Sequence, residues 1–336
     1  MSSTQKKSAS QKISSLPRVS ICTPTFNRRP FFKGVIENVL NQDYPKDNLE
    51  WIIVDDGTDP IGDLVSHLPF VKYISTEKMN LGKKRNFMHQ QCTFQRDDDI
   101  LVYMDDDDYY PPQRVSHAVS KLMGSNALCA GSSEIYIWFN GLQKMYKFGP
   151  YGPNHATAGT FAFKRSLLKQ THYEENAVIG EEKYFLKNYT IPFVQLDPLK
   201  TILVFSHNHN TFDKKRLIDP KSPVCKESAL KVKQVIKSNA LCKFYTKEID
   251  LLLDAYEPGN IKYKPEVLEE IKRRDEERKP IKGEGKGMTF NPHDLVELLR
   301  IKTEENLTLQ KELEKKNQYI KLLIESIPKR DLVHSP

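Results

Sequence analysis

The chain has 336 residues, of which 38% are hydrophobic and 10% aromatic, and its formal net charge is +7. This composition excludes a wholly disordered chain, because it supplies enough apolar side chains to build a core. No run of about 18 apolar residues occurs. The first residues, MSSTQKKSASQKISSLPR, lack the apolar stretch of a signal peptide. We therefore expect neither a membrane span nor secretion.

The five cysteines are odd in number and show none of the close spacings of metal knuckles or redox motifs. This usage favours a reducing compartment. We expect a cytoplasmic protein, located in the host cytoplasm if its source is a virus.

Residues 1–17 are rich in Ser, Lys and Gln and predict a disordered basic tail. A solvated tail of this kind aids solubility, and contact with anionic lipid or nucleic acid is the alternative. We expect no nucleic-acid partner.

The next part of the chain alternates between apolar strands and amphipathic helices. Strands are predicted at 18–25, 49–59, 71–76 and 99–105, and helices at 29–42, about 82–95 and 111–123. Such alternation over short connections is typical of an α/β fold with a mostly parallel sheet and helices on both faces. Ligands bind beyond the carboxyl ends of the strands in such sheets.

After residue 124 the pattern becomes aromatic and β-rich, and a helix is predicted at 180–189 and a strand at 200–212. The pattern then predicts a helical extension at 214–268, with residues 223–256 as helix, followed by a charged linker at 269–290.

The tail at 291–328 is regular and predicts a coiled-coil helix. One seam position recurs every seven residues, at Leu299, Asn306, Leu313, Ile320 and Ile327. Self-association into a homo-oligomer is the favoured interpretation. A long helix packed on the domain is the alternative, because Lys302 and Lys316 interrupt the second seam position.

Four aspartates, Asp105 to Asp108, follow the apolar run ILVYM. Carboxylates crowded at a strand end repel one another unless a cation lies between them. An Asp-x-Asp pair can hold a divalent cation in oxygen ligands and leave positions for substrate phosphates. The alternative is a solvated acidic loop or negative charge at the start of the next helix.

Two further clusters lie at predicted strand or helix ends. Asp55 and Asp56 precede Gly57 and could form a tight turn, but a carboxylate there could also accept hydrogen bonds from a nucleoside. In MNLGKKRN, a glycine turn leads cations into a helix, which is unfavourable for the helix dipole unless they face an anion such as a diphosphate.

Taken together, VSICTPTFNRR, WIIVDDGTD, NLGKKRN and YMDDDDYYPPQRV resemble, in order and spacing, the motifs of family-2 glycosyltransferases. The resemblance covers about residues 18–212. It implies a GT-A (Rossmann-like) catalytic domain at 18–213, a nucleotide-diphosphate sugar donor (most often a UDP-sugar) and Mn²⁺ or Mg²⁺. It also implies transfer to an acceptor hydroxyl with inversion at the anomeric carbon.

The resemblance also implies roles for individual residues. The nucleoside pocket would be lined by Thr23, Pro24, Thr25 and Asn27, with Asp55 or Asp56 on the base and Arg85 near the diphosphate. Asp105 and Asp107 would form the metal site. Asp106, counted among the substrate-binding residues, and Asp108 leave the register of the motif open.

GEEKYF resembles the Gly-Glu-Asp segment of the family, so Glu182 stands where the catalytic carboxylate is expected, with Glu181 as the alternative. A Glu can deprotonate a hydroxyl as an Asp does. In HNHNT, His207 is a candidate metal ligand or phosphate contact and His209 the alternative. Trp138 could stack on an acceptor sugar or lie buried in its β-segment.

Two other functions compete with this one. A nucleotidyltransferase would usually carry a glycine-rich loop after the first strand, where this chain has TPTFNRRP. A glycosyltransferase-like scaffold without activity is the other alternative. The acceptor could be a glycan, a protein or a lipid.

Overall fold

The computed structural model of the chain describes residues 16–277 and, beyond them, 281–282, 289–290, 302, 305–306, 308–310 and 312–321. The chain divides into two units, Met1–Leu268 and Glu269–Pro336. The predicted tail at 1–17 lies almost wholly outside the described residues.

The strands run in chain order as follows: β1 Val19–Thr25, β2 Leu49–Asp55, β3 Val71–Ser75, β4 Ile100–Tyr103, β5 Cys129–Gly131, β6 Ile135–Phe139, β7 Lys144–Phe148, β8 Ala162–Lys164, β9 Phe193–Gln195, β10 Leu203–Ser206, β11 Cys225–Ser228, β12 Ile281–Lys282 and β13 Thr289–Phe290.

The helices are α1 Phe32–Leu40, α2 Gly62–Val65, α3 Leu81–Gln91, α4 Arg114–Met123, α5 Glu182–Phe185, α6 Val232–Val235, α7 Asn239–Lys243, α8 Ile249–Asp254 and α9 Pro265–Glu277, and a π-helical turn at Phe244–Glu248 joins α7 to α8.

Within residues 16–277, seven strands form a mostly parallel sheet in the order β3-β2-β1-β4-β8-β5-β9. Only β8 runs antiparallel to its neighbours. Every residue of β1 and β2 is buried, as expected for strands covered on both faces. The α/β class with a mostly parallel sheet is therefore confirmed.

The register of the central strands decides where the polar clusters lie. Thr25 pairs with Asp55 at the ends of β1 and β2, and Cys22 pairs with Tyr103 at the end of β4. Parallel strands that end together deliver the residues that follow them to one edge of the sheet. The residues after β1, β2 and β4 therefore meet at that edge.

A second sheet of four strands, in the order β10-β6-β7-β11, packs beside the first within the described part of the chain. Tyr109, just after the acidic run, bridges to Leu203 of β10. This contact joins the acidic run to the second sheet.

The predicted helix at 223–256 is wrong at its start. Residues 225–228 form β11, which pairs antiparallel with β7, because the open edge of β7 offers backbone hydrogen bonds there. Helix begins only at α6, and α5 spans a single turn of the predicted 180–189 helix.

The predicted linker at 269–290 is also wrong at its start, because α9 continues to Glu277. Arg273 and Arg274 both bond Glu270 at 2.7 Å, and such pairs stabilise an exposed helix.

The coiled-coil prediction at 291–328 falls mostly on residues outside those described. The described helical residues there include Leu309, Leu313 and Ile320, which are exposed. Self-association through this segment stays a prediction. Over the described parts of the chain, no helix is both long and apolar enough to cross a membrane.

Candidate active site

A pocket of about 400 Å³ lies at the carboxyl ends of β1, β2 and β4. One part of its lining is charged and consists of Arg28, Asp56, Lys78, Lys84, Arg85, Asp105, Asp106, Asp107, Asp108, Lys214, Lys264 and Glu266. Another part is apolar and includes Ile135, Ile137, Val178, Ile202, Val204 and Leu217. Such a lining suits a ligand that is highly charged at one end.

Asp56, at the end of β2, is the acid of the DDG motif that lines the pocket. Its carboxylate contacts Lys84 Nζ and accepts a 2.9 Å hydrogen bond from the backbone N–H of Met79. Lys84 Nζ also donates to the carbonyl oxygen of Thr25 at 3.0 Å. Burial lowers the pKa of Lys84, and the adjacent Asp56 charge opposes this change. The pair ties the ends of β1 and β2 to α3.

Asp55 has a different role. Its carboxylate accepts hydrogen bonds from Gly57 N at 3.0 Å, Ile61 N at 3.1 Å and Tyr73 Oη at 2.9 Å. The side chain is buried and does not line the pocket. Asp55 therefore shapes the turn after β2, and of the two candidates for the base Asp56 is the one the pocket can use.

The four residues predicted to line the nucleoside pocket separate in the same way. Pro24 and Thr25 line it. Thr23 is buried beneath it and donates to the Met104 carbonyl oxygen at 2.8 Å. Asn27 has a φ of 51° and accepts hydrogen bonds from two backbone N–H groups of the loop after β2. Thr23 and Asn27 shape the walls instead of lining them.

Arg85 lies on α3 and is 3% exposed. Its Nε donates to Glu181 Oε1 at 2.8 Å, Nη2 lies 3.5 Å from Asp105 Oδ1, and its guanidinium stacks 4.4 Å from the Tyr103 ring centre. Burial would lower the pKa of Arg85, but the charges of Glu181 and Asp105 hold it well above its ordinary value. The guanidinium is therefore a permanent cation at the pocket.

Two atoms of this group lack hydrogen-bond partners within the described residues. Arg85 Nη1 and Asp105 Oδ1 are both buried and make no hydrogen bond. Because buried polar atoms are nearly always satisfied, this pair indicates a place for a polar ligand.

In the structure the carboxylates of the acidic run lie close together. Burial raises the pKa of Asp105, and the Asp107 and Glu181 charges raise it further. Burial likewise raises the pKa of Asp106 to about 6, although Arg28 opposes this. A bound cation would relieve this repulsion.

Asp108 belongs to the framework as well as to the pocket lining. Its Oδ1 accepts from Phe205 N at 2.9 Å, and its backbone oxygen accepts from Asn38 Nδ2 and Tyr245 Oη, both at 3.0 Å. It therefore fixes the acidic run to β10 and to the C-terminal helices.

The model of the family described as Glycosyl transferase family 2 matches residues 20–191, which are 172 of the 336 residues. The chain belongs to glycosyltransferase family 2. The match contains every motif that ends at the edge of the large sheet, and it stops before His207.

Individual relatives of this glycosyltransferase-family chain are distant. Probable glycosyltransferase YdaM of Bacillus subtilis (strain 168) is 28% identical over 118 residues, which are 34% of this chain and 28% of that protein. The chain thus aligns with under a third of that curated relative.

Two solved structures have similar folds over part of the chain. One is the mannosyltransferase PcManGT from Pyrobaculum calidifontis in complex with GDP-Man and Mn²⁺, at 19% identity and a TM-score of 0.45, covering 57% of each chain. The other is S. aureus TarS 1-349 in complex with UDP-GlcNAc, at 17% identity and a TM-score of 0.44, covering 56% of this chain and 58% of that one.

In this family-2 chain the two candidate histidines differ. His207 is buried and its Nε2 lies 3.2 Å from Asp107 Oδ2. Burial lowers the pKa of His207 to about 3, so the imidazole is neutral at ordinary pH. Burial would raise the pKa of Asp107, but the His207 hydrogen bond and the Lys214 charge lower it instead. Asp107 is therefore an anion.

His209 does not reach the carboxylates. Its backbone oxygen accepts a 2.7 Å hydrogen bond from Arg28 Nη2, and neither histidine is part of the pocket lining. His209 therefore positions Arg28, and the structure favours His207 over His209 as the histidine of the site.

The two candidate bases also differ. Glu181 is 5% exposed and is paired with Arg85, whereas Glu182 begins α5 and is partly exposed. Neither residue lines the pocket, but Val178 just before them does. Glu181 therefore holds Arg85, which leaves Glu182 with the more accessible carboxylate.

Trp138 lies outside the pocket. It is 9% exposed, packs in the core, and donates from Nε1 to Asn140 Oδ1 at 2.6 Å. Of the two roles left open for Trp138, the structure favours burial in its β-segment, because alternation along β6 turns Ile135 and Ile137 to the pocket and Trp138 away from it. Thr157 and Gly159 line the pocket instead.

Sequence reasoning missed four cations of the lining. Arg28 lies within a recognised motif, and its Nε is 3.8 Å from Asp106 Oδ1. Lys214 lies three residues after the HNHNT segment, so its position in the sequence could have indicated it. Lys78 and Lys264 stand in segments without a motif, so no local pattern could have identified them.

The donor atoms of the pocket fit a hard divalent cation. Carboxylate oxygens suit Mg²⁺ or Mn²⁺, and Asp105 Oδ1, which has no hydrogen bond within the described residues and lies 3.5 Å from Arg85 Nη2, would be a ligand for such an ion. The described residues hold no preassembled group of three or more His, Cys, Asp or Glu ligands. Few protein ligands are usual for Mg²⁺ sites that also bind substrate phosphates.

Proposed function

We propose that this protein transfers a sugar from a nucleotide-diphosphate sugar to an acceptor hydroxyl, with inversion at the anomeric carbon. Family membership supports the reaction class. The observation that carries the proposal is the convergence of Asp56, Arg85, Asp105 and Asp107 on one pocket at the sheet edge. These groups come from three separate segments, and carboxylates and cations together suit a metal-bound diphosphate.

The charged part of the pocket would bind the donor. Asp56 and Thr25 would face the nucleoside, while the free Nη1 of Arg85 would donate to the diphosphate. Asp105 and Asp107 would hold Mn²⁺ or Mg²⁺, with His207 orienting Asp107 or adding a ligand. The ion, when bound, supplies positive charge to the diphosphate.

The chemical step needs one base and one stabilised leaving group. The acceptor oxygen forms a bond to the anomeric carbon as the bond from that carbon to the phosphate oxygen breaks. The acceptor proton moves to a carboxylate, for which we favour Glu182, because Glu181 is neutralised by Arg85. Arg85 stabilises the negative charge that develops on the departing diphosphate.

Turnover of a panel of UDP- and GDP-sugars with Mn²⁺, Mg²⁺ or EDTA tests this function. The panel should include an acceptor-free hydrolysis assay, because the acceptor, whether glycan, protein or lipid, is unidentified. We expect metal-dependent turnover that falls about 100-fold or more in Asp107→Ala and in Glu182→Gln. Asp98→Ala is the matched control, since its carboxylate is an exposed acid away from the pocket.

The outcomes separate the alternatives. Turnover that needs no metal, or that survives Asp107→Ala, contradicts the mechanism. Nucleotide-sugar binding without turnover favours the scaffold alternative. Once a product is identified, its anomeric configuration by NMR tests inversion.

A further inference from the structure

Residues 256–267, here called the strap, run from the end of the helical extension into the first turn of α9 and contact the loops after β1 and β2. The polar contacts that fasten the strap include hydrogen bonds from Tyr256 Oη to Asp59 Oδ2 at 2.8 Å, from Asn27 Nδ2 to the Pro258 oxygen at 2.9 Å and from Arg28 Nη1 to the Gly259 oxygen at 3.4 Å. Lys78 Nζ donates to the Tyr263 oxygen and to Glu266 Oε2, both at 2.9 Å. The strap is therefore packed on the ends of β1 and β2.

Three residues of the strap, Lys264, Glu266 and Val267, line the pocket. The Lys264 ammonium lies 5.2 Å from the centre of the Phe26 ring, and Lys78 lies at the same distance from that ring. Phe26 directly follows β1, so Lys264 reaches the strand edge where the recognised motifs end.

The ammonium of Lys264 has little to balance its charge. Its polar contact is Thr211 Oγ1 at 3.4 Å, and within the described residues no carboxylate oxygen lies within 4.0 Å of it. Glu266, two residues on, is engaged by Lys78. A partly buried lysine without an acidic partner is unfavourable unless a ligand supplies the anion.

The surrounding charges reinforce this reading. Burial and the like charges of Arg28 and Lys84 lower the pKa of Lys264 to about 7, although Asp106 and Asp107 oppose the change. Three cations thus meet at this side of the pocket. Lys84 is neutralised by Asp56, which leaves Lys264 the least compensated of the three.

We propose that the strap is a wall of the donor site and that Lys264 binds the diphosphate of the nucleotide sugar. This inference rests on the proposed function and assigns a donor contact to a segment beyond the family match, which ends at residue 191. The aliphatic stem of Lys264 would pack on Phe26 while its ammonium bonds a phosphate oxygen.

Calorimetric titration of the full chain with UDP and GDP, and with uridine and guanosine, in the same Mn²⁺ buffer tests the proposal. In Lys264→Met we expect the affinity for the bound diphosphate to fall about 10- to 100-fold, with the affinity for its nucleoside unchanged. Lys264→Arg should recover most of the loss, because the charge is restored.

The matched control is Lys262→Met, which removes an exposed lysine of the same strap whose partner is Glu257, outside the pocket. It should bind the diphosphate as the unaltered protein does. Thermal denaturation identifies any variant that is unfolded, and Lys264→Gln, which keeps a polar head without the charge, replaces Lys264→Met in that case.

The results divide cleanly. Equal diphosphate affinity in Lys264→Met, or an equal loss for diphosphate and nucleoside, overturns the role of Lys264 while leaving the proposed function intact. If the unaltered protein binds neither diphosphate, the proposed function fails and this inference fails with it.

Discussion

The two sides of the pocket are built in different ways. On one side, Asp56 and Asp105 to Asp107 follow β2 and β4, which flank β1 as its two parallel neighbours, so the backbone ladder of the sheet fixes their spacing. On the other side, the strap is held by a few side-chain hydrogen bonds to loops. The comparison teaches that the carboxylates are placed by secondary structure and the added cation by tertiary contacts. Changes on the first side should therefore cost more than changes on the second.

The largest effect is expected for Arg85→Met. It leaves the buried Glu181 carboxylate without its partner, and loss of one member of a buried pair destabilises a protein by about 3–5 kcal/mol. Chemical denaturation measures the loss. The double variant Arg85→Met, Glu181→Gln should recover part of the stability but none of the turnover. A double variant as unstable as the single one would contradict this pairing.

A smaller, local effect is expected for Gly159→Ala. An added Cβ would lie 2.6 Å from Asp105 Oδ2, so the carboxylate must shift. Misplacing a catalytic group by about 1 Å can cost about 100-fold in rate. We expect kcat/KM to fall by that order with little change in Tm. Gly141→Ala is the control, because the nearest atom to its added Cβ beyond its own turn would be Lys215 Nζ at 4.0 Å.

Lowering the pH should lower the free energy of unfolding, because His89 of α3 is buried beside the strands. Burial, with the nearby Arg85 and Arg165 charges, lowers the pKa of His89 to about 3. Between about pH 6.5 and pH 3 the unfolded chain binds a proton that the folded chain does not, so stability falls as the pH falls. We expect a loss of about 1 kcal/mol per pH unit in this window. His89→Gln should reduce this slope without abolishing it, because burial also lowers the pKa of His207 to about 3; an identical slope would exclude His89 as a source.

The smallest effect is expected on the strap side. Tyr256→Phe removes the hydrogen bond to Asp59 and should lower the free energy of unfolding by about 1 kcal/mol. The nucleotide-diphosphate affinity should fall a few-fold, because the strap is fastened at several other points. A loss as large as that of Arg85→Met would reverse the ranking of the two sides.

The sequence predicted the strand side well for a physical reason. Buried parallel strands are continuous apolar runs, and the acids that end them are conspicuous, so β1, β2, β3 and β4 and the acidic run could be placed from local pattern. The pattern could not decide which side chain of an acidic pair faces the pocket. Asp55 and Asp56 are adjacent and chemically alike, yet a turn that satisfies Asp55 with three donors leaves Asp56 to line the pocket.

The strap side lay beyond local reasoning. Lys264 is one of many lysines in a charged region, and only long-range packing brings it to Phe26. The strand β11 was missed for a related reason, since Cys225 and its neighbours extend only because the edge of β7 is open to them. The role of Trp138 stayed open in the sequence because the second sheet decides which face of β6 turns to the pocket.

The strap also affects where a fragment of this protein should end when it is expressed. A fragment ended at residue 213, where the recognisable motifs stop, would keep each carboxylate of the sheet edge yet expose Phe26 and the Asn27 turn to water. Such a fragment would also lose the core side chains of Phe244 and Tyr245 and the Tyr245 hydrogen bond to Asp108, so we expect it to hold a sugar nucleotide weakly. If the expression boundary were drawn from similarity alone, the weak binding of the fragment would then be mistaken for a property of the whole protein.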